Sequence, residues 1–252
     1  MTPDPILKVL STMRRHEVRC LLMGGQACVF YGAAEFSRDA DFALLSEPDN
    51  LARLRGALEE LQADTIAIPP FDSAYLLKGH AVHFRCRHPD APGMRIDVMS
   101  VMRGVEAFPV LWSRRSTAEI APGEQYDLMS LRDLVQAKKT QRDKDWPMLR
   151  RLIEADYAAR REAPTVQDVH FWFLEARTPG LLVELAVRFP ELLGKLRERR
   201  ALLGLLPQTT DREIGLRLAE EQSRECELDR KYWEPLRAEL ETLRHQFRPG
   251  QT

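Results

Sequence analysis

The chain has 252 residues, with 37 Lys and Arg against 38 Asp and Glu and a net charge of -1. A hydrophobic share of 44% beside 30% charged residues is the profile of a globular protein with a core, which excludes a disordered or low-complexity chain. The near-zero net charge does not advertise a nucleic-acid binder, although a local basic patch can sit inside a neutral total. Cys20, Cys28, Cys86 and Cys226 show no CxxC spacing and read as reduced thiols. The opening MTPDPILKVLSTMRRH lacks a secretory apolar core, and no apolar run reaches membrane-spanning length. A cytoplasmic protein with no membrane partner is expected.

In chain order, Ile6, Leu7, Val9, Leu10 and Met13 have helical spacing after Pro3 and Pro5, which predicts a helix over 4–16. Val18 to Met23 is a short apolar run stopped at Gly24-Gly25, the pattern of a buried strand. Gln26 to Tyr31 reads as a short helix closed by Gly32, and Asp41 to Leu45 as a second strand. Pro48-Asp49-Asn50 opens a helix through about Gln62. Beyond Pro69-Pro70, His80 to Arg87 and Met94 to Val101 read as strands, and the turn-rich HPDAPG between them makes an antiparallel pair. Hairpins mixed with helices give an α/β or α+β fold with a mixed sheet.

From about residue 127 strand signals vanish. Helices are predicted over 128–139, 146–160, 165–176, 181–200 and 211 to about 246, punctuated by Pro164, Pro179-Gly180 and Pro207. The expected division is a mixed-sheet domain over 1–125 and a helical domain over 126–252.

Three aspartates carry the chemistry. Asp39 and Asp41 are two apart on a strand, so they share a face with Cα atoms about 7 Å apart. Asp97 sits between Ile96 and Val98 in a separate strand, so its carboxylate projects away from its buried neighbours. Were the two strands adjacent, three carboxylates would meet at one place. Converging anions call for hard cations such as a magnesium pair, the usual arrangement for phosphoryl and nucleotidyl transfer. Gly24-Gly25, between strand and helix, would let a phosphate approach free backbone N–H groups.

Glycines, thirteen residues, D-A-D-F, and a later strand I-D-V together resemble the polymerase-beta-like nucleotidyltransferase superfamily. The string GGQACVFYG…SRDADF is similar to the AbiEii-type toxin and minimal nucleotidyltransferases. LRDLVQAKKTQRDKD, residues 131–145, is similar to the helix that follows their catalytic domain. The resemblance covers about residues 15–155. It implies that Gly24 and Gly25 hold a triphosphate, that Asp39, Asp41 and Asp97 bind two magnesium ions, and that Asp97 also helps deprotonate an acceptor hydroxyl. It implies that an NTP is the co-substrate, ATP among the candidates. Lys138 or Lys139, with Arg142, would neutralise its outer phosphates, and Asp145 would orient these cations. Relatives carry an Arg where this chain has Glu35, for which Arg38 is the substitute, and a Lys where it has Gln136.

Three readings follow. The first is magnesium-dependent transfer of an NMP to a hydroxyl on tRNA or another RNA, as in toxin relatives, with a possible cognate antitoxin. The second is transfer to a small aminoglycoside- or lincosamide-like molecule. The third, motivated by Glu35 and Gln136, is a non-catalytic nucleotide- or partner-binding protein. His80, His83, Cys86 and His88 match no standard zinc set and read as structural or solvent-facing. Phe171, Trp172 and Phe173 read as helix-packing core, and the charged final helix as a bundle element or oligomer contact.

Overall fold

The computed structural model describes residues 4–34, 37–121 and 123–246. Within these the chain forms two compact units: residues 4–30, 34–137 and 231–246 make the first, and 31–33 with 138–230 the second.

The first unit is built on a seven-stranded mixed sheet. Its elements in chain order are α1 (Pro5–Arg15), β1 (Cys20–Met23), α2 (Gly24–Phe30), β2 (Asp39–Leu44), α3 (Pro48–Glu60), β3 (Ala63–Thr65), α4 (Ser73–Lys78), β4 (Val82–Cys86), β5 (Arg95–Met99), α5 (Phe108–Ser113), β6 (Ser116–Ala121), β7 (Glu124–Leu128) and α6 (Leu131–Ala137). The spatial order is β3-β4-β5-β2-β1-β7-β6. β2 runs parallel to β5 and β1 parallel to β7, and the remaining neighbours are antiparallel, including the expected β4–β5 hairpin. The fold is therefore α/β with a mixed sheet. Unread in the sequence were β3, β6, β7, α4 and α5.

Period-two alternation sets the two faces of the central strands. Ala40, Phe42 and Leu44 on β2, Ile96 and Val98 on β5, and Val82, Phe84 and Cys86 on β4 are all essentially buried. Each large apolar side chain so buried contributes about 1.5–3 kcal/mol. The intervening positions, Asp39, Asp41, Arg95, Asp97, His83 and Arg85, are half-buried or exposed. One face thus holds the sheet in the core, and the other is free to carry charge.

The second unit is helical: α7 (Asp145–Arg160), α8 (Val166–Glu175), α9 (Pro179–Arg188), α10 (Pro190–Leu196), a 3-10 turn over Ala201–Leu205 and the first part of α11 (Asp211–Gln246). The helix expected over 181–200 is instead two, because Pro190 has no N–H to extend α9 and starts α10 after a non-helical Phe189. Phe171, Trp172 and Phe173 are core, as their helical setting predicted. Trp172 is fully buried, meets Tyr157 edge-on at 4.9 Å, and donates to Asp156 Oδ2 at 2.8 Å. α11 continues through Pro235, and its last residues join the first unit, where Glu239 pairs with Lys78 and His80.

Cys20, Cys28 and Cys86 are buried and Cys226 is half-buried, all free thiols. Burial, with Asp127 nearby, pushes the Cys20 thiol up to about 12. No helix among the described residues is long and apolar enough to cross a membrane.

α1 is tied to α3 by one carboxylate. Glu60 accepts from Lys8 Nζ at 2.9 Å, lies 3.0 Å from His16 Nε2, and also pairs with Arg15. The Lys8 hydrogen bond, then those of its other partners, outweighs partial burial and lowers its pKa from 4.5 to about 2. Because the folded value is the lower one, the contribution is complete above the unfolded pKa and is lost as pH falls through the folded one. Thermal melts of the wild type and Glu60→Gln should differ at neutral pH and converge as pH drops from about 4.5 towards 2. A gap that stays constant into acid would show that this carboxylate does not link the two helices.

Candidate active site

The site begins where β1 gives way to α2. In the antiparallel β1–β2 register Met23 faces Asp41, so the next residue, Gly24, lies beside the Asp41 carboxylate. Gly24 has φ +67, and a Cβ there would sit 1.9 Å from Asp41 Oδ2. A Cβ on Gly25 would come within 2.4 Å of Ser37 Oγ. The glycine pair thus makes room for two oxygen-bearing side chains, one of them a predicted metal ligand. Gln26 Nε2 donates to the Ser37 carbonyl at 2.9 Å and holds the turn that delivers Asp39 into β2.

Strand register then forms two rows across the open face. In the first, Asp41 on β2 stands opposite Asp97 on β5, which stands opposite His83 on β4. In the second, Asp39 stands opposite Arg95, which stands opposite Arg85. Neighbouring strands are about 4.8 Å apart, so three aspartates and three basic side chains share a small patch of sheet. The three predicted aspartates are therefore brought together on adjacent strands.

Asp97 is well enclosed, with a side chain 14% exposed. Its Oδ1 accepts from Arg95 Nε at 2.8 Å and lies 2.8 Å from His83 Nδ1, while Arg95 Nη2 lies 3.0 Å from the same His83 nitrogen. Burial raises the Asp97 pKa, but the hydrogen bonds and charges of His83 and Arg95 overcome it and the net shift is downward. The carboxylate is held as an anion. The two contacts of His83 Nδ1 need opposite roles: a protonated Nδ1 donates to Asp97 and opposes Arg95, whereas a bare one accepts from Arg95 and opposes Asp97. Only one is satisfied at a time.

The other predicted residues are placed as follows. Arg38 is exposed in the turn before β2. Glu35 lies outside the described residues. Gln136 is half-buried near the end of α6. Lys138, Lys139 and Arg142 belong to the second unit, where each has a carboxylate partner. Asp145, nearly buried, lies 3.5 Å from Lys138 Nζ and accepts from Thr140 Oγ1 at 2.6 Å and Arg142 Nε at 2.8 Å. Burial raises its pKa, but the charge of Lys138 and these bonds lower it further than burial raises it. Asp145 thus orients basic side chains, the part expected of it. Lys139 pairs with Glu175 at 2.8 Å.

The histidines expected to be structural disperse among separate partners. His80 pairs with Glu239, His83 with Asp97 and His88 with Asp90, while Cys86 points into the core. Among the described residues no three His, Cys, Asp or Glu side chains already surround a common point as metal ligands would. Asp97 turns to His83 and Arg95 instead. The donor chemistry nonetheless fits a hard divalent ion: three carboxylates share one face, and the absence of a Gly24 side chain keeps the place of one of them.

His83 and Arg95 join the site beyond the residues expected from the sequence. Arg95 was legible, since it lies two residues before Asp97 on the same strand face. His83 required the hairpin register.

No protein-family model matches the chain, and no curated protein sequence does. Among solved structures it is similar to that of JHP933 from Helicobacter pylori, with 14% identity, 92% of this chain and 94% of that one covered, and a TM-score of 0.40. A second H. pylori structure, provisionally named a nucleotidyltransferase, has 14% identity, 90% and 93% coverage and a TM-score of 0.35. Likeness at this level carries no argument about chemistry, which rests on the site itself.

Gly24 offers a direct test. Gly104 has nearly the same backbone, φ +71, but nothing within 4 Å of its would-be Cβ. Gly104→Ala should cost about 1–2 kcal/mol from left-handed strain alone. Gly24→Ala should cost clearly more in denaturant titrations, because the Asp41 carboxylate must also move. Equal losses would show that Gly24 is there only for its backbone angle.

Proposed function

We propose that this chain is a magnesium-dependent nucleotidyltransferase that moves a nucleoside monophosphate from an NTP to an acceptor hydroxyl. The observation that carries the reading is the in-register placement of Asp41 and Asp97 on adjacent parallel strands, with Asp39 two residues earlier on the same face. The glycine pair packed against it is a second support.

On this reading Asp39, Asp41 and Asp97 would hold the metal, which when bound would neutralise phosphate charge and acidify the attacking hydroxyl. The backbone N–H groups of Gly24 and Gly25 would hold the triphosphate. The acceptor oxygen would form a bond to the α-phosphorus as the bond to the bridging oxygen breaks, pyrophosphate departs, and the hydroxyl proton passes to a carboxylate or water. Asp97, kept ionised by His83 and Arg95, would present a full negative charge beside Asp41 throughout. The resemblance to toxin enzymes favours a hydroxyl on tRNA or another RNA as acceptor, and a cognate antitoxin as partner. A non-catalytic nucleotide-binding role has one observation in its favour: Asp97 is already satisfied by two basic side chains.

The test is to incubate the protein with each labelled NTP, magnesium, and either total tRNA or an aminoglycoside panel. Label should reach RNA, and an Asp39→Ala, Asp41→Ala double variant should lower the rate at least about 100-fold. Label on a drug would transfer the reading to small acceptors. Magnesium-dependent nucleotide binding without any transfer would favour the non-catalytic role, and absence of nucleotide binding in calorimetry would sink both enzymatic readings.

A further inference from the structure

We propose that Arg85 and Arg95 form an anion site on the open sheet face, which receives a phosphate group of the substrate. The assignment to substrate rests on the nucleotidyltransferase reading, whereas the anion site follows from the charges themselves.

Arg85 and Arg95 stand directly opposite each other on β4 and β5. Like charges in that position destabilise a sheet, so the pairing calls for a compensating anion. Arg95 has part of one: its Nε is on Asp97 and one Nη is near His83, which leaves further donors of its five-donor fork for another oxygen. Arg85 is exposed and has no carboxylate within ion-pair distance among the described residues. The reason lies on β3. Asp64 is the residue directly opposite Arg85, but its carboxylate pairs with Arg87 two positions on, at 2.5 Å. One basic side chain on this strand face is thus balanced by the protein and its neighbour is not.

Position gives the unbalanced charge a use. Arg95 stands beside Asp39, and Arg85 one strand further out, on the flank of the aspartates away from Gly24 and Gly25. Two adjacent guanidinium forks suit the tetrahedral oxygens of a phosphate, which they can bind in bidentate fashion. A phosphate at Arg85 and Arg95 would neutralise the pair and, drawn to the same fork as Asp97, loosen the hold of Arg95 on that carboxylate. The phosphate could come from the triphosphate of an NTP or from the phosphodiester backbone of a polynucleotide acceptor. A polycationic acceptor of the aminoglycoside kind would instead meet like charge here.

Binding measured with divalent ions chelated tests the site without any need for transfer. A fluorescent single-stranded RNA oligonucleotide and ATP would be titrated separately against wild type, Arg85→Gln and Arg85→Glu. Arg85 is exposed, and loss of its charge relieves the repulsion with Arg95, so both variants should melt no lower than the wild type. For the probe that uses the site, Arg85→Gln should weaken binding about tenfold and Arg85→Glu more. If that probe is RNA, the slope of log affinity against log salt should also become shallower by about one unit. Loss confined to RNA assigns the site to the acceptor backbone, and loss confined to ATP assigns it to the triphosphate. Equal affinities across all three proteins, or no binding of either probe by the wild type, overturns the proposal. Normal anion binding with no transfer in any assay would sink the enzymatic reading and leave the anion site standing.

Discussion

A carboxylate oxygen of Asp41 fills the space that a side chain on Gly24 would need, and the site is organised around that exchange. The β1–β2 register must bring Met23 against Asp41 for the exchange to occur. The β2–β5 register must then bring Asp41 against Asp97. A slip of one residue in either pairing would turn the aspartates of the slipped strand into the core and its apolar residues out to the open face. Ala40, Phe42, Ile96 and Val98, all essentially buried, make such a slip prohibitive. The packing of one sheet face therefore enforces the placement of charge on the other.

That placement is a balance rather than a simple cluster of acid. Three aspartates on adjacent strands would repel one another, and the protein offsets them from within through Arg95 and His83. Arg95 is the pivot because it belongs to both rows, opposite Asp39 and Arg85 by register and bonded to Asp97 along its own strand. Its own charged form is stabilised by the Asp97 bond and by the fields of Asp97, Asp39 and Asp41, although partial burial works against it. A site so arranged is electrostatically tolerable when empty of ligands, and cations or anions that enter it must compete with these internal contacts.

Features set by local period or turn chemistry were legible in the sequence. The glycine stop, the DxD alternation, the β4–β5 hairpin and the Asp97 orientation each depend on residues within a few positions of one another. Features set by pairing were not. β3 is three residues long and is a strand because β4 lies beside it. β6 and β7 carry Glu119, Glu124 and Asp127 within short segments, so their alternation is weak and pairing rather than composition makes them strands. His83 belonged to a set of histidines with no metal spacing, and its partner lies fourteen residues on, across a hairpin. Pro190 marks the break in the sequence, but Leu181 to Leu196 keeps an apolar pattern on both sides of it and so masks the division.

The basic stretch after α6 shows why residue type and spacing do not by themselves assign an anion-binding role. Lys138, Lys139 and Arg142 read in sequence as cations available to phosphate. In the folded chain Asp145 takes Lys138 and Arg142 and Glu175 takes Lys139. Lys138 is itself nearly buried, so its charge requires Asp145 regardless of any ligand, since an unpaired ammonium in that setting would be strongly disfavoured. Truncating Asp145 would therefore disturb the second unit before it disturbed phosphate binding. Arg85 is the opposite case: an ordinary strand residue by sequence, left without a carboxylate because Asp64 turns to Arg87. On the sheet face Arg85 has no such partner among the described residues, and Arg95 keeps donors beyond its bond to Asp97.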